Sequence, residues 1–171
     1  MLTKEQEHRW SDVIGGLFLN FGGIEFLAYR WVKHLNPSLT DMAIFEMKFW
    51  KKLKTIRDLI GNSDIPAHTQ KRAIELWDEV ETISRDVRNP VAHNPWVFGK
   101  NESGMAVEGI IDVKSSEGSG PFRVGVIPIG KIHKAALRSA ELSNEIGLLL
   151  CQSGTTKSDD AAITNINTDT T

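Results

Sequence analysis

Arg88-Asn89-Pro90-Val91-Ala92-His93 places a permanent cation and an imidazole five positions apart, with an amide next to the arginine. A guanidinium keeps its charge at any working pH and grips a phosphate through two parallel donors. An imidazole accepts or donates a proton near neutrality. The pair suits phosphoryl chemistry. The plainer alternative is a helix that ends at Arg88, a turn through Asn89 and Pro90, and His93 covering that turn.

The rest of the chain limits what can surround these residues. With 171 residues, 40% of them hydrophobic, it fits one globular domain with an ordinary core. A formal charge of -2 and a pI near 6.2 exclude a protein that coats nucleic acid by bulk charge, so any polyanion must meet a local patch. The single cysteine, Cys151, allows neither an internal disulfide nor a thiolate cluster, and fits a reducing cytoplasm. His8, His34, His68 and His133 are scattered without ligand spacing, so no metal or other cofactor is expected. Gly130-Lys131 lacks the upstream glycines of a phosphate loop. The N-terminus mixes charges of both signs and does not read as a secretory signal.

Val13 to Val32 is apolar apart from Asn20, Glu25, Tyr29 and Arg30, and is long enough to cross a bilayer. Putting Glu25 and Arg30 in hydrocarbon costs roughly 2.5 to 3.5 kcal/mol each near a helix centre. A buried bundle helix is therefore expected, with no membrane. Glycines at 15-16 and 22-23 recur seven residues apart on that helix, which suits close approach of another helix. Within the bundle or across a dimer seam, the requirement is the same.

Hydrophobic periodicity predicts helices first and strands later. A capping box at Thr3 and Gln6 opens helix 1, which should run from about 4 to 35 on Trp10, Val13, Leu17, Phe21, Ile24, Ala28, Trp31 and Leu35. Asn36-Pro37 breaks it. Ser38 or Thr40 caps helix 2, whose stripe is Ile44 or Phe45, Phe49, Leu53, Ile56 and Ile60, ending at Gly61-Asn62. Helix 3 starts near Pro66, with Ile74, Trp77, Val80, Ile83 and Val87 inward, and delivers Arg88. Pro90 then calls for a kink, with Asn89 capping a fresh turn.

A short strand is expected at Trp96 to Phe98, and a hairpin from Met105–Val113 and Phe122–Ile127. Its faces carry Val107, Ile111 and Val113 on one strand and Phe122, Val124 and Val126 on the other, with a flexible loop at Ser115 to Pro121. A last helix, about 130 to 152, turns Ile132, Ala136, Ser139, Leu142, Ile146 and Leu149 inward. Residues 153–171, rich in Thr, Asp, Asn and Ser, read as a disordered tail. The domain is thus 1–152, with a hairpin insertion at about 105–128.

A helical bundle with Arg-Asn-x-x-x-His at the end of a core helix resembles the HEPN superfamily (higher eukaryotes and prokaryotes nucleotide-binding domain). Arg88, Asn89 and His93 match its pattern without a gap, and Ala92-His93-Asn94-Pro95-Trp96 looks like many small bacterial HEPN-like proteins. The resemblance implies a mostly α, up-and-down bundle of four to five helices with a small β-hairpin inserted before the last one. It implies a metal-independent endoribonuclease in which the ribose 2'-hydroxyl attacks the adjacent phosphate, acting as a toxin or defence effector. It also implies a homodimer that brings two motifs into one cleft, and a cognate antitoxin or nucleotidyltransferase-like partner. A noncatalytic RNA- or nucleotide-binding domain, or a helical dimerisation module, stays open beside it.

Under that resemblance Arg88 and His93 are catalytic and Asn89 orients Arg88 or the phosphate. Glu25, in an apolar stripe, needs a partner: Arg88, Arg30 or solvent. Asn94 and Trp96 follow His93 as supporting residues, Trp96 as a platform for a flipped base or as ordinary core. Lys48, Lys51 and Lys52, in the run Lys48 to Arg57 on the outer side of helix 2, steer RNA phosphates or form a solvated face.

Overall fold

A computed structural model describes residues 3–100, 103–104, 106–114 and 123–154. The loop at Ser115 to Pro121, Phe122 and the tail beyond residue 154 lie outside them. The chain is mostly helical with a small antiparallel sheet. Helix α1 (Lys4–Leu35) begins as expected: Gln6 N donates to Thr3 Oγ1 at 3.2 Å and Thr3 N to Gln6 Oε1 at 2.9 Å. Its stripe Trp10, Leu17, Phe21, Ile24, Ala28 and Trp31 is fully buried against α3 (Phe49–Gly61) and α6 (Ile129–Gly154).

This helix has the length and composition to cross a membrane, yet it is the central element of the bundle. Three of its four polar exceptions find protein partners, and the fourth, Arg30, is exposed. Asn20 Nδ2 donates to the Ala136 carbonyl at 2.8 Å. Tyr29 hydrogen-bonds Asp41, which pushes the phenol's pKa up. Glu25 meets Arg88. Gly23 is a bundle contact, since a Cβ there would lie 3.3 Å from Ser143 Oγ on α6.

The expected second helix is two. Thr40 caps α2 (Asp41–Phe45), accepting from Ala43 N at 3.3 Å, and the chain breaks at Glu46–Lys48 before α3. Ile44 and Phe49 are five residues apart, one too many for a single helical stripe. Breaking the helix buries Ile44 and packs Phe49 on the core together. Helix α4 (Ala67–Ile83) follows Pro66 and buries Ala73, Leu76, Trp77 and Val80. Trp77 packs edge-to-face on Trp31, with ring centroids 6.4 Å apart. Arg138 on α6 grips Glu79 on α4 with two hydrogen bonds, at 2.7 and 2.8 Å, clamping those helices together.

The hairpin gains a third strand: β1 (Trp96–Lys100), β2 (Ala106–Lys114) and β3 (Arg123–Pro128) form an antiparallel meander. Ile111 pairs with Val126, so these two members of the apolar stripes read from the sequence share a face, while Phe122 lies outside the described residues. The opposite face meets the core through Ile110 and Ile127, while Val126 is 42% exposed. At Gly109 β3 lies close against β2. A Cβ there would sit 2.3 Å from the Ile127 carbonyl oxygen and 2.5 Å from Val126 Cγ1, so only glycine fits. Glu108 ties the sheet to α1 by accepting from Arg9 and from the Trp10 indole, and the Arg9 guanidinium holds its carboxyl below the usual range.

Candidate functional site

The motif begins at the end of a π-helical turn that joins two α-helices. Between α4 and α5 (Asn89–His93) the chain makes a π-helical turn, Ser84–Arg88, closed by Asn89 N donating to the Ser84 carbonyl five residues back. Pro90 has no N–H, and its ring would press on the carbonyl of residue 86 in a regular α-helix. Widening the turn by one residue relieves that clash and lets the helix run on into α5. Asn89 is therefore helical (φ -67°, ψ -45°) and caps nothing. Asn94 ends α5, its N–H donating to the Pro90 carbonyl at 2.9 Å.

The turn aims Arg88 at α1. Its Nη2 donates to Glu25 Oε1 at 3.4 Å and its Nη1 to Asn89 Oδ1 at 3.2 Å. The guanidinium centre stands 5.6 Å from the centroid of the Phe18 ring, within range of a cation–π contact. Arg88 Nε is buried and makes no hydrogen bond among the described residues. Glu25 and Phe18 are seven residues apart, so one face of α1 supplies both the counter-charge and the ring. Of the three fates open to Glu25, pairing with Arg88 is the one observed.

Arg88, Asn89 and His93 line one cleft of about 510 Å³. Glu81, Ser84 and Arg85 continue their wall, and Lys48, Phe49, Trp50 and Leu53 form the facing one. Lys48, Arg85 and Arg88 bring three cations to the cleft beside one lining carboxylate, Glu81; Arg57 engages Glu81 at 2.5 Å, while Arg85 pairs with Asp86 at 2.9 Å and Arg88 with Glu25 just outside the lining. Helix α3 starts at this wall without a side-chain cap, so the positive end of its dipole adds to the field. An anion is the natural occupant. Among the described residues no group of three or more His, Cys, Asp or Glu is placed to hold a metal.

Besides Glu25, four residues expected at the site do not line the cleft. Trp96 stacks on Trp10 (centroids 4.9 Å, planes 27° apart) beside Phe98 and is not part of the cleft wall. Lys52 is not on the outer side of its helix: it is 9% exposed, one turn before Ile56 and two before Ile60 on the buried stripe. Lys51 is exposed but lines no part of the cleft, whereas Lys48 does. Asn94 is half-buried and likewise off the wall.

Sequence reasoning missed Phe18, Ser84, Arg85 and Trp50. For Phe18 the signal was its seven-residue spacing from Glu25. For Trp50 it was an aromatic residue set between Lys48 and Lys51.

No protein-family model matches the chain, and no curated protein and no solved structure matches it. What its fold defines is a mostly helical bundle carrying a small antiparallel sheet.

Proposed function

We propose that this chain is a HEPN-type, metal-independent endoribonuclease that works in the cytoplasm as a homodimer. The observation that carries the reading is Arg88, braced by Glu25, Asn89 and Phe18, on the same cationic wall as His93. Cleavage through the 2'-hydroxyl forms a bond from that oxygen to phosphorus and breaks the bond from phosphorus to the 5'-oxygen. A cyclic phosphate and a 5'-hydroxyl result. Arg88 stabilises the charge on the non-bridging oxygens, and an imidazole moves the protons.

One imidazole cannot take the 2'-hydroxyl proton and protonate the leaving oxygen in the same step. Two copies of His93 can, if a two-fold axis brings two clefts together. The exposed face of α1 supports such a pairing. Gly15, Leu19, Gly22 and Phe26 follow a spacing of four, three and four, and so lie along one side of the helix. Leu19 is 79% exposed and Phe26 56%, and added Cβ atoms at both glycines would meet nothing within 4 Å. The stripe runs beside Phe18 and Glu25, which hold Arg88.

The test is incubation of purified protein with RNA and with DNA of matched sequence, in excess chelator. RNA alone is cut, and His93→Ala abolishes cutting. Absence of RNA cleavage, or equal cleavage by His93→Ala, overturns the nuclease and leaves an RNA-binding or dimerisation domain.

A further inference from the structure

The facing wall of the cleft carries an aromatic group that the fold does not use. Trp10, Trp31 and Trp77 are fully buried and Trp96 has one face on Trp10, but Trp50 is 60% exposed. It is the second residue of α3, beside Lys48, and lines the same cleft as Arg88 and His93. Burying a large apolar ring is the default outcome of folding, so an indole left open in a concave, cationic site is available to a ligand.

We propose that Trp50 is the stacking platform for the base of an unpaired nucleotide whose phosphate lies at Arg88, which makes the substrate single-stranded RNA. The inference rests on the ribonuclease reading above. A polyanion matches the charges of Lys48, Arg85 and Arg88, and an indole face matches a nucleobase, so the two walls together fit one nucleotide. The cleft, at about 510 Å³, falls within the range of roughly 300–1,000 Å³ that small-molecule sites occupy. A base inside a duplex has both faces covered by its neighbours and cannot lie on Trp50. Every base has a π face, so the platform selects for an open strand and not for sequence.

The test uses a short 2'-O-methyl oligoribonucleotide, which lacks the attacking hydroxyl and is not cut, both as a single strand and as a duplex. Its affinity is measured by fluorescence anisotropy for the full chain and for Trp50→Ala, Trp50→Phe and Trp96→Ala. Trp50→Ala should weaken single-strand binding about 5- to 150-fold. Trp50→Phe should keep most of the affinity, Trp96→Ala all of it, and the duplex should bind weakly to every form. Circular dichroism melts verify that the exposed substitution leaves the fold intact.

Unchanged single-strand binding by Trp50→Ala overturns the platform, as does a duplex bound as tightly as the single strand. So does a Trp50→Ala protein that sediments as a monomer where the parent is a dimer, because that assigns the indole to a second copy. Wild-type cleavage of RNA with Trp50→Ala binding normally removes the platform and keeps the nuclease. Trp50-dependent binding without RNA cleavage does the reverse.

Discussion

Replacing Glu25 by glutamine keeps the length and one acceptor oxygen of the side chain and removes its charge. The structure sets the scale of two separate effects. At 3.4 Å and an effective dielectric near 20, the gross attraction between Glu25 and Arg88 is about 5 kcal/mol. The side chains are 39% and 28% exposed, so solvent screening and desolvation reduce the net contribution to about 1 kcal/mol or less. For a chain of this size that lowers Tm by about 2–4 °C.

The effect on chemistry is larger, because Glu25 holds Arg88 where the phosphate charge develops. A displacement of about 1 Å at a reacting centre costs on the order of 100-fold in rate. With the charge gone, Arg88 keeps Asn89 and Phe18 but loses the partner that pulls it towards α1. Glu25→Gln should therefore lower kcat for RNA cleavage about 10- to 100-fold with a smaller change in KM, while the protein melts within a few degrees of the parent. Single-turnover cleavage and differential scanning calorimetry read the two effects separately. Wild-type kcat in Glu25→Gln, with Arg88→Ala inactive, would refute the positioning role and show that Phe18 and Asn89 suffice.

Leu19→Glu puts a charge in the middle of the exposed α1 stripe. It should convert a dimer to monomers by sedimentation and remove cleavage, while monomer stability changes by no more than about 0.5 kcal/mol, as for other surface substitutions; a dimer that survives it moves the interface elsewhere. Acid should loosen the α4–α6 clamp, because Arg138 holds the Glu79 and Glu145 carboxyls below their ordinary range. Lowered folded pKa values stabilise above the unfolded value of about 4.3 and lose that contribution as pH falls through the folded ones. Arg138→Leu should thus cost about 1 kcal/mol at pH 7, after discounting for partial exposure, and the gap in urea midpoints should close progressively below about pH 4.3. A gap that does not depend on pH would mean that Arg138 acts by packing alone.

The elements that the sequence specifies most clearly are those whose signals agree. Helix α1 has its capping box, its apolar stripe and a terminating Asn36-Pro37, and it spans the expected residues. The last helix is similar, with Ser139 buried as placed and its hydroxyl satisfied by the Ala135 carbonyl at 2.7 Å. Signals that conflict were resolved by tertiary packing. The choice between Ile44 and Phe45 was the trace of a stripe out of phase with Phe49, and the break at Glu46–Lys48 is its outcome. Lys52 was grouped with a basic run, although its spacing from Ile56 and Ile60 already put it on the buried side.

Pro90 is the instructive case for the site. Its missing donor and ring clash are legible in the sequence, but they fix only that the regular helix cannot continue. Kink and π turn are two ways to meet that constraint, and contacts far away in the chain decide between them. Val87 before Asn89 and Val91 after it are both buried in the core, and Arg88 reaches Glu25, 63 residues earlier in the chain. The same distant contacts put Trp50, 43 residues before His93, on the cleft wall, while Trp96, three residues after it, stacks on Trp10.

The glycines of α1 extend this reasoning to what the single chain leaves unused. A glycine inside a helix costs about 1 kcal/mol relative to alanine. At Gly23 the close approach of Ser143 accounts for it, but Cβ atoms at Gly15 and Gly22 would meet nothing in the monomer. Alanine would stabilise the isolated helix at each of these positions. Bare backbone there has a use only if another surface comes close, and the same face exposes Leu19 and Phe26 beside the residues that brace Arg88. A second copy seated on that face would meet both requirements at once, giving the glycines a contact and each His93 its opposite number.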